Sequence, residues 1–111
     1  MSGGLLYLAS PYSHQNPIVR HQRYVDVCKA AARYMKAGEV IFCPIAHSCS
    51  IEQQFDSMEG FDFWMRQDLP VLARCAKLVV LMLEGWEQSR GVIAEMEFAA
   101  THGIPIEFRD P

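Results

Sequence analysis

No apolar run in this 111-residue chain is long enough to span a bilayer, so membrane insertion is not expected. The first residues, "MSGGLLYLAS", have neither the basic flank nor the long apolar stretch of a secretory signal, which points to the cytoplasm. The four cysteines, Cys28, Cys43, Cys49 and Cys75, show no C-x-x-C spacing and sit in or beside apolar segments, where reduced thiols behave as small hydrophobes. The ten Lys and Arg are scattered and the net charge is −3, which argues against a nucleic-acid polymer as partner and leaves room for a small anionic ligand. The chain has no G-x-G-x-x-G or Walker pattern, and no set of His, Cys and carboxylates at metal-ligand spacing. Neither a dinucleotide cofactor nor a metal is expected.

What is present fits one domain over residues 1–111, large enough to bury a core. "LLYLAS" reads as a buried strand ended by Pro11, followed by the polar loop "PYSHQNP". From Ile18 to Ala37 a helix is expected, with Val25, Cys28, Ala32 and Met35 at helical spacing and Gly38 as its stop. "VIFCP", 40–44, reads as a second strand, and "IAHSCSIEQQFDSMEG" as a long loop with room for a short helix. Residues 61–75 look helical, with a kink or restart near Asp68 because Pro70 lacks an amide hydrogen. "KLVVLML", 77–83, predicts a central strand buried on both faces; a helix over 90–102 and a short strand "IPIEF" complete the chain. Alternating strands and helices imply right-handed crossovers. The expected fold is a three-layer flavodoxin-like or Rossmann-like α/β domain with a mainly parallel sheet of four to five strands. Ligands of such sheets sit beyond the carboxyl ends of the strands, next to "SPYSHQNP", "PIAHSCS" and "EGWEQSRG".

Four glutamates fall between residues 84 and 98, and helix geometry separates them. Ser89 is a natural N-cap, and the first turn behind it offers free N–H groups to an anion. On the helical wheel Val92, Met96 and Ala99 form the core stripe, with Ile93 and Ala100 beside it and Glu95 and Glu97 on opposite flanks. Side chains lean toward the helix N-terminus, so Glu95 reaches back over Gly91, whereas Glu97 reaches over Ile93. Glycine there costs about 1 kcal/mol relative to alanine, and either ligand approach or tight packing against a strand would account for it. Glu84 and Glu87, in the turn, read as solvated surface. His47 follows a strand at the ligand-binding edge, which makes it either a site residue or an ordinary surface histidine.

The segment "EGWEQSRGVIAEMEFAATHGIPI", with S-x-G-x-x-x-E at Ser89, Gly91 and Glu95, resembles the nucleoside 2-deoxyribosyltransferase family and its short nucleotide N-glycosidase relatives. "YLASPYSH" resembles a small bacterial branch of that superfamily, and the likeness runs from Tyr7 to Ile106. The resemblance implies a covalent glycosyl-enzyme formed on Glu95 and a proton donor at Asp68 in "RQDLPVL", where a plain helix cap is the competing reading. It further implies that Tyr7 lies near the nucleophile, where a core tyrosine is the other reading. Ser89 matches the serine with which the nucleotide hydrolases contact a 5′-phosphate, and Arg90, Ser10 and Ser13 are further donors. A nucleoside or nucleotide substrate and a homo-oligomer are implied in the same way. Two departures stand out. The longer transferases continue past the last strand and lend a neighbouring subunit an active-site amide, a segment with no counterpart up to Pro111. The first loop also lacks the glycine-rich, arginine-bearing form of the hydrolases. A non-catalytic nucleotide-binding module on the same fold is the alternative.

Overall fold

Short runs rich in Leu, Val and Ile form the strands, and burial on both faces explains why they read as continuous rather than alternating apolar segments. The computed structural model describes residues 4–111. In it β1 (Leu5–Ala9), β2 (Val40–Phe42), β3 (Lys77–Leu81) and β4 (Ile106–Arg109) make one parallel sheet in the order β2-β1-β3-β4. The helices are α1 (Pro17–Lys36), α2 (Pro44–Glu52), α3 (Phe61–Leu72) and α4 (Arg90–Thr101). One apolar layer joins Leu6, Leu8 and Val79 to Val27, Ala30 and Ala31 of α1. The other joins Tyr7, Ala9 and Val80 to Leu72 of α3 and to Val92 and Ala99 of α4. Helices thus cover both faces, which is the expected flavodoxin-like architecture with four strands, all parallel.

The chain runs from β1 outward to β2, then crosses back to β3 on the other side of β1. Strand order reverses between β1 and β3, and the crevice beyond their carboxyl ends is where sheets of this kind hold ligands. Tyr7 pairs with Phe42 on one side and Leu78 on the other, which fixes its ring in the middle of the sheet.

Several local expectations are corrected. β2 stops at Phe42 because Pro44 opens α2, a position where the missing N–H costs no hydrogen bond and φ is already helical. His47 therefore stands on a helix and not in a loop. α3 runs through Pro70 without a restart: the proline removes one ladder bond, the ladder continues beyond it with Ala73 N–H donating to Leu69 O at 2.8 Å, and Leu72 behind it is fully buried. The buried face of α1 is Val27, Ala30 and Ala31; of the stripe read from the sequence, Ala32 is exposed and Met35 is 52% exposed. The small alanines let the helix sit close to the sheet, and this outweighs the larger apolar groups one position away. On α4 the buried residues are Val92, Glu95 and Ala99, with Ile93 and Ala100 exposed, so Glu95 lies on the core stripe itself. The last strand begins at Ile106 and not at Ile104. No helix among the described residues is long and apolar enough to cross a membrane.

Candidate active site

A buried carboxylate on a core stripe needs a polar partner, and the sheet supplies one. Tyr7, fully buried on β1, donates its hydroxyl to Glu95 Oε2 at 2.5 Å. Glu95 is itself 5% exposed, and no hydrogen bond from the described residues reaches Oε1, the oxygen left toward the open space. That space is a cavity of about 600 Å³ at the carboxyl ends of β1 and β3, a volume that suits a small organic ligand. Glu95 and Asp68 both stand in its wall. Burial pushes the Glu95 carboxyl up to about 8; the Tyr7 hydrogen bond pulls it down and the Asp68 charge raises it further. Burial also lifts Asp68, to about 6, with His47 pulling the other way. Asp68 ionises first, so its charge bears on Glu95. Burial and then the Glu95 carboxylate hold Tyr7 protonated far above its usual range.

The other walls come from the loops after β1 and β3 and from the N-terminus of α4. Ser10, 6% exposed, directly follows β1, and its Oγ is buried without a hydrogen-bond partner among the described residues, in the cavity wall. Ser89 caps α4 by accepting from the Val92 amide at 3.3 Å, which leaves its own O–H free to donate. Gly91 also lines the cavity, and a Cβ added there would meet nothing within 4 Å. Tight packing therefore does not explain this glycine; the open space of the cavity lies over it. Arg23 of α1 ties the two loops together, donating to Ser13 O at 2.8 Å and Glu84 O at 3.1 Å. Its guanidinium passes 2.7 Å from where a Gly85 Cβ would be, and Gly85 has φ +90°, so only glycine fits that turn.

The structure thus gathers Ser10, Asp68, Ser89, Gly91 and Glu95 around one cavity, with Tyr7 directly behind Glu95. It does not bring His47 into the cavity wall: this side chain is exposed on α2, with its ring 5.5 Å from Phe42. Trp64 is in the wall, whereas Phe42 packs beside Tyr7 and Trp86 packs against Phe108. Glu84, Glu87 and Glu97 are all exposed. Sequence reasoning missed Tyr12, Arg20 and Glu52, which also line the cavity. The available signal for Arg20 was direction: the first turn of a helix that follows a parallel strand faces the ligand edge. Among the described residues no group of His, Cys, Asp and Glu is arranged to hold a metal ion.

A parallel four-stranded α/β sheet covered by helices on both faces, with a carboxylate-lined cavity at its switch point, is a flavodoxin-like architecture. Over residues 4–109 the chain matches the family described as domain of unknown function DUF1937, and it belongs to that family. No curated protein matches the sequence. A solved 2-deoxyribosyltransferase structure from Bacillus psychrosaccharolyticus is similar at a TM-score of 0.70 and 21% identity, covering 96% of this chain and 72% of that one. The fold is therefore that of the 2-deoxyribosyltransferase.

Proposed function

We propose that this protein breaks the N-glycosidic bond of a nucleoside or nucleoside 5′-monophosphate, as a hydrolase or a deoxyribosyltransferase. The observation that carries this reading is the pairing of two carboxyls of different environment in one cavity, the deeper one held by Tyr7 through a single oxygen. The 2-deoxyribosyltransferase likeness agrees with it. Glu95 Oε1 attacks C1′ and forms a glycosyl ester; the C1′–N bond breaks, its electron pair leaves with the base, and Asp68 gives the base its proton. Water or a second base then takes the sugar from Glu95. Tyr7 keeps its hydrogen bond to Oε2 throughout and fixes the plane of the carboxylate. Ser89 and the first turn of α4 contact a 5′-phosphate, where a hydroxyl donor and free amides are in place. Arg90, exposed and 3.9 Å above the Phe61 ring, adds charge at the cavity rim. Ser10 Oγ takes its missing partner from the substrate.

Incubation with a panel of ribo- and deoxyribonucleosides and their monophosphates, with free base followed by chromatography, tests the reading. Release or exchange of base is expected; binding without turnover would instead favour the non-catalytic nucleotide-binding module.

The proton inventory adds a sharper expectation. Between about pH 6 and 8 the resting pair holds one proton, mainly on Glu95, because burial raises Glu95 to about 8 and Asp68 only to about 6. Reaction needs the reverse arrangement, roughly one molecule in a hundred at pH 7. The kcat/KM profile should be a bell with limbs near 6 and 8. Asp68→Asn removes the group that must stay protonated and also the charge that raises Glu95. The variant should show one ascending limb, with its midpoint below the upper limb of the wild type, and a lower plateau for poor leaving groups. A single descending limb would mean that the acid and nucleophile are exchanged.

A further inference from the structure

The segment that joins α2 to α3 is the least tied part of the cavity wall. Residues 53–60 are all exposed, and among the described residues Asp56, Ser57, Met58 and Glu59 neither donate nor accept a backbone hydrogen bond. Both helices that it joins line the cavity, α2 with Cys49 and Glu52 and α3 with Phe61 and Trp64. Phe55 is the last anchored point before the free stretch. Its ring stacks on Trp64 at 6.0 Å and meets Phe63 edge-on at 5.8 Å, and Phe63 meets Trp64 edge-on at 4.9 Å. The other end is Gly60, which opens α3 without a side-chain cap. Between these two points four residues form a strap beside the cavity mouth, and Met58 and Glu59 of the strap stand in the wall itself.

We infer that residues 56–59 close over a seated ligand, hinged at Phe55 and Gly60, and that Met58 then covers the ligand and shuts water out of the cavity. The ligand is taken from the nucleoside reading above. Met58 is a cavity-wall residue and yet 76% exposed, whereas Glu95 in the same wall is 5% exposed, so Met58 marks the rim and Glu95 the floor. A single exposed apolar side chain needs no explanation on an ordinary surface, but this one borders an opening of about 600 Å³. Its unbranched thioether fits itself to surfaces of irregular shape. Closing breaks no backbone hydrogen bond of the strap, because the strap has none to break. Over an empty cavity Met58 would gain no partner, whereas over a ligand it leaves water for apolar contact. This difference makes closure depend on the ligand. A glycosyl ester on Glu95 is a species that such a strap protects from premature hydrolysis.

Oxidation by hydrogen peroxide, mapped on peptides by mass spectrometry, tests the strap in Glu95→Gln, where a seated nucleoside is not consumed. Met35, 52% exposed on α1 and outside the cavity wall, is the internal reference. The same panel of ribo- and deoxyribonucleosides and their monophosphates supplies the ligands. At least one of them should slow oxidation of Met58 about tenfold with Met35 unchanged, and should slow amide hydrogen exchange over residues 56–59. Met58→Ser should weaken binding of that compound about tenfold and leave the melting temperature unchanged. Met58 oxidised at one rate with and without every compound, exchange over 56–59 that no compound slows, or full affinity in Met58→Ser would each overturn the inference. If the wild type releases base while Met58 stays open to peroxide, the strap fails and the glycosidic reading stands. If Met58 is protected but the wild type cleaves no nucleoside, the glycosidic reading fails and the strap stands.

Discussion

Glu95→Ala should abolish release of free base, by a factor of about 10⁴ or more, while Glu97→Ala two residues later keeps most of the activity. The two side chains share a helix and a charge but not an environment. Glu95 is buried against Tyr7 and opens one oxygen into the cavity, whereas Glu97 is exposed. Removal of the nucleophile leaves binding and leaving-group protonation without a covalent step, and no other carboxylate has an oxygen at that position. Alanine also strands the buried Tyr7 hydroxyl, so part of its loss would come through the fold. Glu95→Gln separates the two effects: glutamine still accepts from Tyr7 but cannot attack, so it should lose activity as fully as alanine while remaining folded. Base release followed by chromatography, with melting curves on the same samples, checks this. Similar losses in the Glu95 and Glu97 variants would contradict it.

The second large effect is on stability. A carboxyl whose folded pKa lies at about 8 against an ordinary 4.5 binds a proton in the folded state that the unfolded chain has already lost. Stability conferred by Glu95 is therefore greatest at low pH and declines as pH rises from about 4.5 through 8. Asp68, raised from 3.8 to about 6, contributes with the same sign at lower pH. Above pH 8 the folded protein carries a buried anion at a cost on the order of a few kcal/mol, since each tenfold difference in proton affinity between the folded and unfolded chain corresponds to about 1.4 kcal/mol. Glu95→Gln removes that cost. Its melting temperature should exceed that of the wild type by on the order of 10 °C at pH 9 and by little at pH 5. Thermal melts of both proteins across pH 5 to 9 measure the difference. Parallel curves would show that Glu95 ionises as easily in the folded protein as in the unfolded chain. The residue proposed to do the chemistry thus destabilises the fold at neutral to alkaline pH, the usual relation between an active site and its scaffold.

The architecture was legible because parallel strands buried on both faces read as apolar runs: "LLYLAS" and "KLVVLML" contain β1 and β3, which end one and two residues earlier. Glu95 was legible for a geometric reason, the glycine one turn earlier on the same helix. Its burial was not: the wheel placed Met96 on the core stripe and Glu95 beside it, because hydrophobicity alone cannot see that Tyr7, almost ninety positions away, supplies a partner that lets a carboxylate into the core. For α1, alanines weigh little on a hydropathy scale, yet close approach to the sheet favours them over Met35. Pro70 misled because a proline removes only one ladder bond, and the burial of Leu72 behind it holds the helix together past that point. Arg20 and Glu52 lie 32 positions apart, and only folding brings both into the wall of one cavity.

The central claim is that Glu95 forms a covalent bond to the sugar. Acid-quenching the protein within its first turnovers on a deoxynucleoside and mapping its peptides by mass spectrometry tests this most directly. The account predicts a deoxyribosyl group on the peptide that carries Glu95, absent in Glu95→Gln and present in Glu97→Ala. Efficient base release with no adduct on that peptide, or an adduct that persists in Glu95→Gln, would contradict it.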